Sequence, residues 1–132
     1  MEFKNLISRA IEARGKAYVP YSKFKVGAAL ITESDEIYTG CNIENASYGA
    51  TNCAERTAIF KAVSEGHKGI KALAVVGDPM EYTFPCGICR QVISEFATKD
   101  FKIIIVKNEE EYMIKTLEEI LPSAFTKEAL LK

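Results

Sequence analysis

Hydrophobic and polar positions follow helical and extended periods in turn along the first half of the chain. Apolar residues recur at helical spacing in residues 3–11, and Gly15 is expected to end this first helix. The β-branched and apolar segment 24–31 predicts a strand. A polar turn follows it, so residues 37–41 are predicted to pair with that strand as a hairpin. Residues 42–51 contain Asn, Ser and Gly and are predicted to be irregular.

Helical and extended segments alternate more regularly after residue 50. The predicted elements are a helix at about 53–65, a strand at 73–76, a helix at about 86–97, strands at 101–106 and 112–115, and short helical pieces at 117–121 and 126–131. The strand at 101–106 is placed in the interior of a sheet, because its apolar run is unbroken. The alternation predicts an α/β protein in which helices pack on a mixed or parallel sheet.

Composition and charge limit the class of protein. The chain has 132 residues, so residues 1–132 are predicted to form a single domain. Seventeen basic and eighteen acidic residues give a net charge of −1, which argues against a nucleic-acid partner. No apolar run approaches the roughly 18 residues of a membrane span, and the charged N-terminus lacks a secretory signal. The protein is therefore predicted to be cytoplasmic, where its four cysteines stay reduced.

Three of the cysteines lie at predicted helix starts. Cys53 begins one helix, and Cys86 and Cys89 lie one turn apart at the start of another. A helix N-terminus favours negative charge, so it lowers the pKa of a thiol and stabilises the thiolate. Two such ends that converge would present three thiolates to one zinc ion. Three protein ligands leave the fourth coordination position for water, which is typical of catalytic zinc.

Glu55 and Arg56 follow the first cysteine directly. Water activated by zinc needs a proton acceptor, and deamination needs a proton donor at the leaving amine. In the first turn of a helix that points at the metal, Glu55 can carry that proton. Zinc with three thiolates has a formal charge of −1, which would weaken it as a Lewis acid. Arg56 is predicted to offset this charge by donating to the sulfurs, and Arg90 is a poorer candidate.

Each of these residues also has a simpler interpretation. The Cys86/Cys89 pair alone could be a redox C-x-x-C or half of a structural zinc site. Asn52 as an N-cap with Glu55 three residues later could form a variant of the capping box. Cys41 is expected to pack in or at the end of a strand. His67 follows a helix-ending glycine and is predicted to face solvent.

The cysteines and Glu55 together resemble a known family. The segments CAE at 53–55 and PCGIC at 85–89 are similar to the H-x-E…P-C-x-x-C signature of zinc nucleobase deaminases, with Cys in place of His. The three-cysteine form is that of the short, homotetrameric cytidine deaminases. Further matching segments are FKVGAA at 24–29, NIEN at 42–45, CAERTA at 53–58, CRQ at 89–91 and LPSAF at 121–125.

The resemblance implies a fold, an activity and a set of site residues. The fold is three-layered, with a central mixed five-stranded sheet flanked by helices. The activity is the hydrolytic deamination of cytidine and deoxycytidine in pyrimidine salvage, with one Zn²⁺ per subunit. The implied roles are zinc ligation by Cys53, Cys86 and Cys89, proton transfer by Glu55, charge compensation by Arg56, and substrate binding by Phe24, Asn42, Glu44, Ala54, Tyr48 and Phe125. Tyr48 and Phe125 would reach the active site of a neighbouring subunit.

Spacing alone leaves some of these assignments open. Phe24 could be a core residue, Asn42 and Glu44 could be turn-capping groups, and Phe125 could anchor the C-terminal segment. Two other functions also compete with cytidine deamination. One is a related three-cysteine deaminase that acts on a cytosine nucleoside antibiotic such as blasticidin S. The other is a zinc-stabilised interaction module without turnover.

Overall fold

The computed structural model describes residues 3–131. The elements in chain order are α1 (Lys4–Arg14), β1 (Gly27–Thr32), β2 (Ile37–Cys41), a 3₁₀ turn (Tyr48–Ala50), α2 (Ala54–Ser64), β3 (Ile70–Val76), α3 (Gly87–Phe96), β4 (Ala97–Val106), β5 (Tyr112–Thr116), α4 (Leu117–Ile120) and α5 (Lys127–Leu130). The predicted order of helices and strands is confirmed. Among the described helices, none combines the length and the apolar character that a bilayer crossing requires.

The five strands form one mixed sheet in the order β2-β1-β3-β4-β5. β3 and β4 are parallel, and the other neighbouring pairs are antiparallel. The predicted hairpin is present, with Gly27 opposite Cys41. β4 lies inside the sheet, as its unbroken apolar run predicts. Cys41 is the last residue of β2 and is partly buried, so it packs at a strand end as expected.

Both faces of the sheet are covered, which gives three layers. On one face, side chains such as Leu73 and Val75 pack with the buried side of α2 and with Ile93 of α3. On the other face, Ala74 and Val76 pack against α1. Alternate residues of a strand point to opposite faces, so a strand buried on both faces needs apolar residues at every position.

Two glycines let helices lie directly on the hairpin. A Cβ at Gly27 would lie 2.1 Å from the carbonyl oxygen of Ala10 in α1. A Cβ at Gly40 would lie 2.5 Å from the backbone nitrogen of Ala58 and 2.6 Å from the carbonyl oxygen of Ala54 in α2. Real Cβ atoms do not approach this closely, so both crossings require glycine. The crossing at Gly40 fixes the first turn of α2, which follows Cys53.

Sequence-based expectations differ from the structure at the starts of three strands and at His67. β3 begins at Ile70 and not at residue 73, and β4 begins at Ala97 and not at residue 101. β1 begins at Gly27 and not at Phe24, because the backbone of residues 24–26 bonds to the Asn42 side chain instead of a neighbouring strand. The prediction that His67 faces solvent is wrong, since only 18% of its side chain is exposed. Its Nε2 lies 2.8 Å from Glu36 Oε2, and its ring contacts that of Tyr38. These partners come from the hairpin, which the local pattern around His67 does not reveal.

Candidate active site

The N-termini of α2 and α3 meet, and each helix has a cysteine at its N-cap position. Cys53 is the N-cap of α2 and Cys86 is the N-cap of α3, both with extended backbone. Their Sγ atoms are 3.8 Å apart. Cys89 lies in the first turn of α3, and its backbone N–H donates to Cys86 Sγ at 3.5 Å. The three sulfurs lie within 4.8 Å of one another.

This arrangement fits a zinc ion. Two sulfurs that each lie about 2.3 Å from a tetrahedral zinc are about 3.8 Å apart, which matches the separation of Cys53 and Cys86. Thiolates are soft ligands that select zinc over hard cations such as Mg²⁺. Within residues 3–131, these three cysteines are the one group of His, Cys, Asp or Glu side chains that could together hold a metal ion. Three protein ligands are typical of catalytic zinc, whereas structural zinc takes four.

The groups around Cys53 favour its thiolate form. The Cys89 thiol donates to Cys53, and Arg56 donates as well, so the pKa of Cys53 falls to about 5. The same contact with Cys53 raises the pKa of Cys89, and burial raises it further. Arg56 Nη2 lies 3.4 Å from Cys53 Sγ, while its buried Nε has no hydrogen-bond partner among the described residues. The guanidinium thus faces the sulfurs directly.

Glu55 lies in the first turn of α2 and is only 4% exposed. Burial disfavours its charged form and raises its pKa to about 7, and the nearby Cys53 charge adds to this effect. The alternative of a capping box with Asn52 is wrong, because the N-cap is Cys53. Asn52 Nδ2 donates instead to Thr57 Oγ1 at 3.0 Å, which braces the first turn. Glu55 is therefore a buried carboxyl poised to titrate near neutral pH.

A cleft of about 280 Å³ opens beside these groups, near the lower limit of about 300 Å³ for small-molecule sites. Its walls bring together the two N-cap cysteines and several residues that the sequence predicted as a site. These are Phe24, Asn42, Glu44, Ala54 and Glu55. Phe24 is 41% exposed, so the structure places it on the wall of the cleft and not in the core.

Asn42 and Glu44 also hold the loop that carries Phe24. Asn42 Oδ1 accepts from the Val26 N–H at 2.9 Å, and Nδ2 donates to the Phe24 carbonyl at 2.8 Å. The Glu44 carboxylate accepts from the N–H groups of residues 21 and 22 and from the Ser22 hydroxyl. The hydrogen bond from Ser22 lowers the pKa of Glu44. Both residues therefore brace the loop, as the turn-capping alternative proposes, and face the cleft as well.

Two of the predicted substrate residues lie outside this cleft. Tyr48 is 78% exposed and contacts the Tyr21 ring, with the ring centres 6.3 Å apart. Phe125 is 63% exposed, and its carbonyl accepts from Gln91 Nε2 at 2.7 Å. Arg90 does not face the sulfurs, because it donates to the carbonyls of Pro85 and Ile120. It is therefore unsuited to offset the thiolate charge.

Sequence reasoning missed four residues of the cleft wall: Ser22, Val26, Thr83 and Phe84. Thr83 and Phe84 immediately precede the Pro85-Cys86 motif, so their closeness to a ligand in the sequence was a usable signal. Ser22 has no comparable signal. It reaches the cleft because its hydroxyl bonds Glu44, 22 residues further along the chain.

Comparison with known proteins agrees with this geometry. Residues 1–105 match the family model of the cytidine and deoxycytidylate deaminase zinc-binding region. A cytidine deaminase of Sporosarcina psychrophila is 52% identical over 98% of this chain and 96% of its own. The crystal structure of cytidine deaminase from Burkholderia pseudomallei superposes with a TM-score of 0.88 at 44% identity, over 95% of this chain and all of that one. A blasticidin-S deaminase of Bacillus cereus is 32% identical over 80% of each chain. The chain belongs to the cytidine and deoxycytidylate deaminase family.

Proposed function

We propose that this protein catalyses the hydrolytic deamination of cytidine and deoxycytidine to uridine and deoxyuridine, with release of ammonia. The observation that carries the proposal is the meeting of two cysteine-capped helix N-termini beside the buried Glu55, at a cleft of small-molecule size. Relatives named cytidine deaminase align over nearly the whole chain. The relative named for blasticidin S is less similar, which favours nucleoside deamination over the antibiotic.

The cysteines would hold zinc, and Glu55 would move the protons. When bound, zinc supplies a Lewis acid that activates a water molecule near neutral pH. Glu55 would accept a proton from the water as the water oxygen bonds to C4, and would deliver that proton to ring nitrogen N3. The second proton of the water would pass through the same carboxyl to the 4-amino group. The C4–N bond then breaks, ammonia leaves, and C4 keeps the oxygen as the carbonyl of uridine. A pKa of about 7 suits this role, because the group is both a competent base and a competent acid near neutral pH.

Arg56 would keep the centre electrophilic. Three thiolates and one Zn²⁺ carry a formal charge of −1, and a donor to sulfur withdraws part of that charge. Arg56 Nη2 lies 3.4 Å from Cys53 Sγ and is placed to do this. Its Nε, which has no hydrogen-bond partner within residues 3–131, is buried at the same site.

The cleft residues would orient the nucleoside. Phe24 would offer an aromatic wall for the base, and the backbone of Ala54, which lines the same cleft, would contact the pyrimidine. Asn42 and Glu44 would bind the sugar hydroxyls, because both line the cleft and each keeps hydrogen-bonding capacity beyond its bonds to the loop. Phe125 is 63% exposed and is not among the residues that line its own cleft, so we infer that it would stack on a base in the site of another subunit.

A shared active site in turn requires an assembly. We propose a homotetramer of single-domain subunits in which Tyr48 and Phe125 complete the site of a neighbour. Both rings are largely exposed, as interface residues of an isolated subunit would be. We also propose that the enzyme acts in the cytoplasm in pyrimidine salvage and has no nucleic-acid or membrane partner. The near-zero net charge is consistent with a small neutral substrate.

One sample can test the reaction and the metal together. Purified protein is assayed for zinc by elemental analysis, and for loss of cytosine absorbance and ammonia release with cytidine, deoxycytidine and blasticidin S side by side. We expect about one zinc per chain and turnover of both nucleosides. Glu55→Gln should retain zinc and lose activity by about 10²–10⁴-fold, the contribution of a positioned acid–base group. Retained zinc without turnover of either nucleoside would refute the proposal, and faster turnover of blasticidin S would select the alternative substrate.

A further inference from the structure

The side chain of Arg90 joins two backbone segments that lie 35 residues apart, at Pro85 and Ile120. Its Nε donates to the Pro85 carbonyl and its Nη1 to the Ile120 carbonyl, each at 2.8 Å. Pro85 is buried and directly precedes Cys86, the N-cap of α3. Hydrogen bonds from a charged guanidinium are strong, and its planar fork fixes the two acceptors relative to each other. Arg90 therefore holds the backbone beside Cys86 against the end of α4.

Gln91, the residue after Arg90, bonds to the C-terminal segment 121–131, which follows Ile120. Gln91 Nε2 donates to the Phe125 carbonyl at 2.7 Å, and Lys127 Nζ donates back to the Glu95 carbonyl at 3.4 Å. None of residues 121–131 is buried in the isolated chain, so apolar packing alone does not hold this segment. Its position on α3 depends largely on these polar contacts.

We propose that Arg90 is a positioning residue that fixes Cys86 in the metal site and couples zinc binding to the docking of residues 121–131. Arg90 uses its donors on carbonyl oxygens and not on sulfur, so it acts through geometry, unlike Arg56. Zinc favours the position of Cys86 in which Pro85 and Ile120 both meet the guanidinium. By linkage, the docked segment then favours zinc to the same extent. The inference rests on the proposed zinc site but not on the proposed substrate.

Metal transfer tests the positioning role. Full-length wild type, Arg90→Met, Arg90→Lys and Gln91→Met are loaded with zinc, and transfer to a chromogenic chelator is timed. Arg9→Met is the control, because Arg9 lies on α1 across the sheet. We expect zinc transfer to be about 10–100-fold faster in Arg90→Met. It should be intermediate in Arg90→Lys and in Gln91→Met, which loosens the segment coupled to zinc, and within about twofold of wild type in the control. If Arg90→Met does not fold, the transfer rate of Arg90→Lys tests the proposal instead. A lysine ammonium cannot reproduce both hydrogen bonds to the Pro85 and Ile120 carbonyls.

A spectroscopic signature separates positioning from general stability. Cobalt(II) in place of zinc should show altered ligand-field bands in Arg90→Met, with partial recovery in Arg90→Lys, because the bands report ligand geometry. Removal of zinc from wild type should speed amide exchange in residues 121–131, and Arg90→Met should abolish this response. The proposal would be overturned if Arg90→Met transferred zinc at the wild-type rate and showed the wild-type cobalt bands. It would also be overturned if amide exchange in residues 121–131 did not depend on zinc. No readout requires turnover, so a failure of cytidine deamination leaves this test intact.

Discussion

Glu55→Gln should stabilise the metal-free protein while it abolishes activity. The Glu55 carboxyl is buried, and burial raises its pKa from the ordinary 4.5 to about 7. At pH 8 the wild-type chain must keep a carboxylate in this poorly solvated position. The amide has the same shape and carries no charge, so the variant avoids that cost. The buried Glu55 carboxylate is therefore expected to lower the free energy of unfolding, although the same burial makes the carboxyl a usable acid and base.

The magnitude follows from the pKa difference. The folded state binds the Glu55 proton more tightly than the unfolded state, so this group costs nothing below pH 4.5 and lowers stability as the pH rises towards 7. A rise from 4.5 to about 7 corresponds to about 3 kcal/mol, at about 1.4 kcal/mol for each pH unit. The free energy of unfolding of Glu55→Gln should thus equal that of wild type at pH 4 and exceed it by about 3 kcal/mol at pH 8.

Urea unfolding of chelator-treated, reduced protein at several pH values measures this difference. Glu12→Gln is the matched control, because Glu12 is exposed on α1, and its effect on stability should stay small at every pH. A stability difference for Glu55→Gln that does not grow between pH 4 and 8, or that favours wild type, would refute the reasoning. It would show that contacts of the carboxylate outweigh the cost of its burial.

Three further substitutions test the site and its support. Cys89→Ser should reduce bound zinc to near zero by elemental analysis, because a ligand is lost, whereas Cys41→Ser should leave zinc unchanged. Gly77→Ala should raise KM for cytidine without changing zinc content, because its Cβ would lie 2.3 Å from Thr83 Oγ1 on the cleft wall; an unchanged KM would contradict this. Gly27→Ala should lower the free energy of unfolding by about 1–3 kcal/mol or more in urea, since its Cβ would strike the α1 backbone. A stable Gly27→Ala variant would show that α1 can shift away from the sheet.

Local patterns in the sequence predicted most elements of the fold. Helical periodicity located α1, and β-branched composition located the hairpin. Both signals come from residues within one or two helical turns or within one strand. They can therefore be recognised without knowing which other elements pack against that segment. The predicted start of β1 at residue 24 was wrong for the opposite reason, because it depended on a distant residue. There the backbone bonds to Asn42, a partner that lies 16 residues or more along the chain.

The metal-binding cysteines and Glu55 were also visible in the sequence, because their chemistry depends on residue type and on position at a helix start. Which other residues share the cleft was less visible. Tertiary structure brings Ser22 and Thr83 to the same wall, and it turns Arg90 away from the sulfurs. Spacing along the chain contains no information about the bonds of Ser22 to Glu44 and of Arg90 to Ile120, since they join residues 22 and 30 positions apart.

The amino-acid pattern was enough to predict an α/β fold, cysteines at two helix starts and a resemblance to the family. The 3.8 Å distance between the Cys53 and Cys86 sulfurs, and the burial that raises the pKa of Glu55 to about 7, are visible only in the folded chain. Both depend on how closely α2 and α3 pack on the sheet, and in part on a glycine at position 40 that admits the α2 backbone. A local pattern encodes period and charge, whereas distance and desolvation arise only when separate segments pack together.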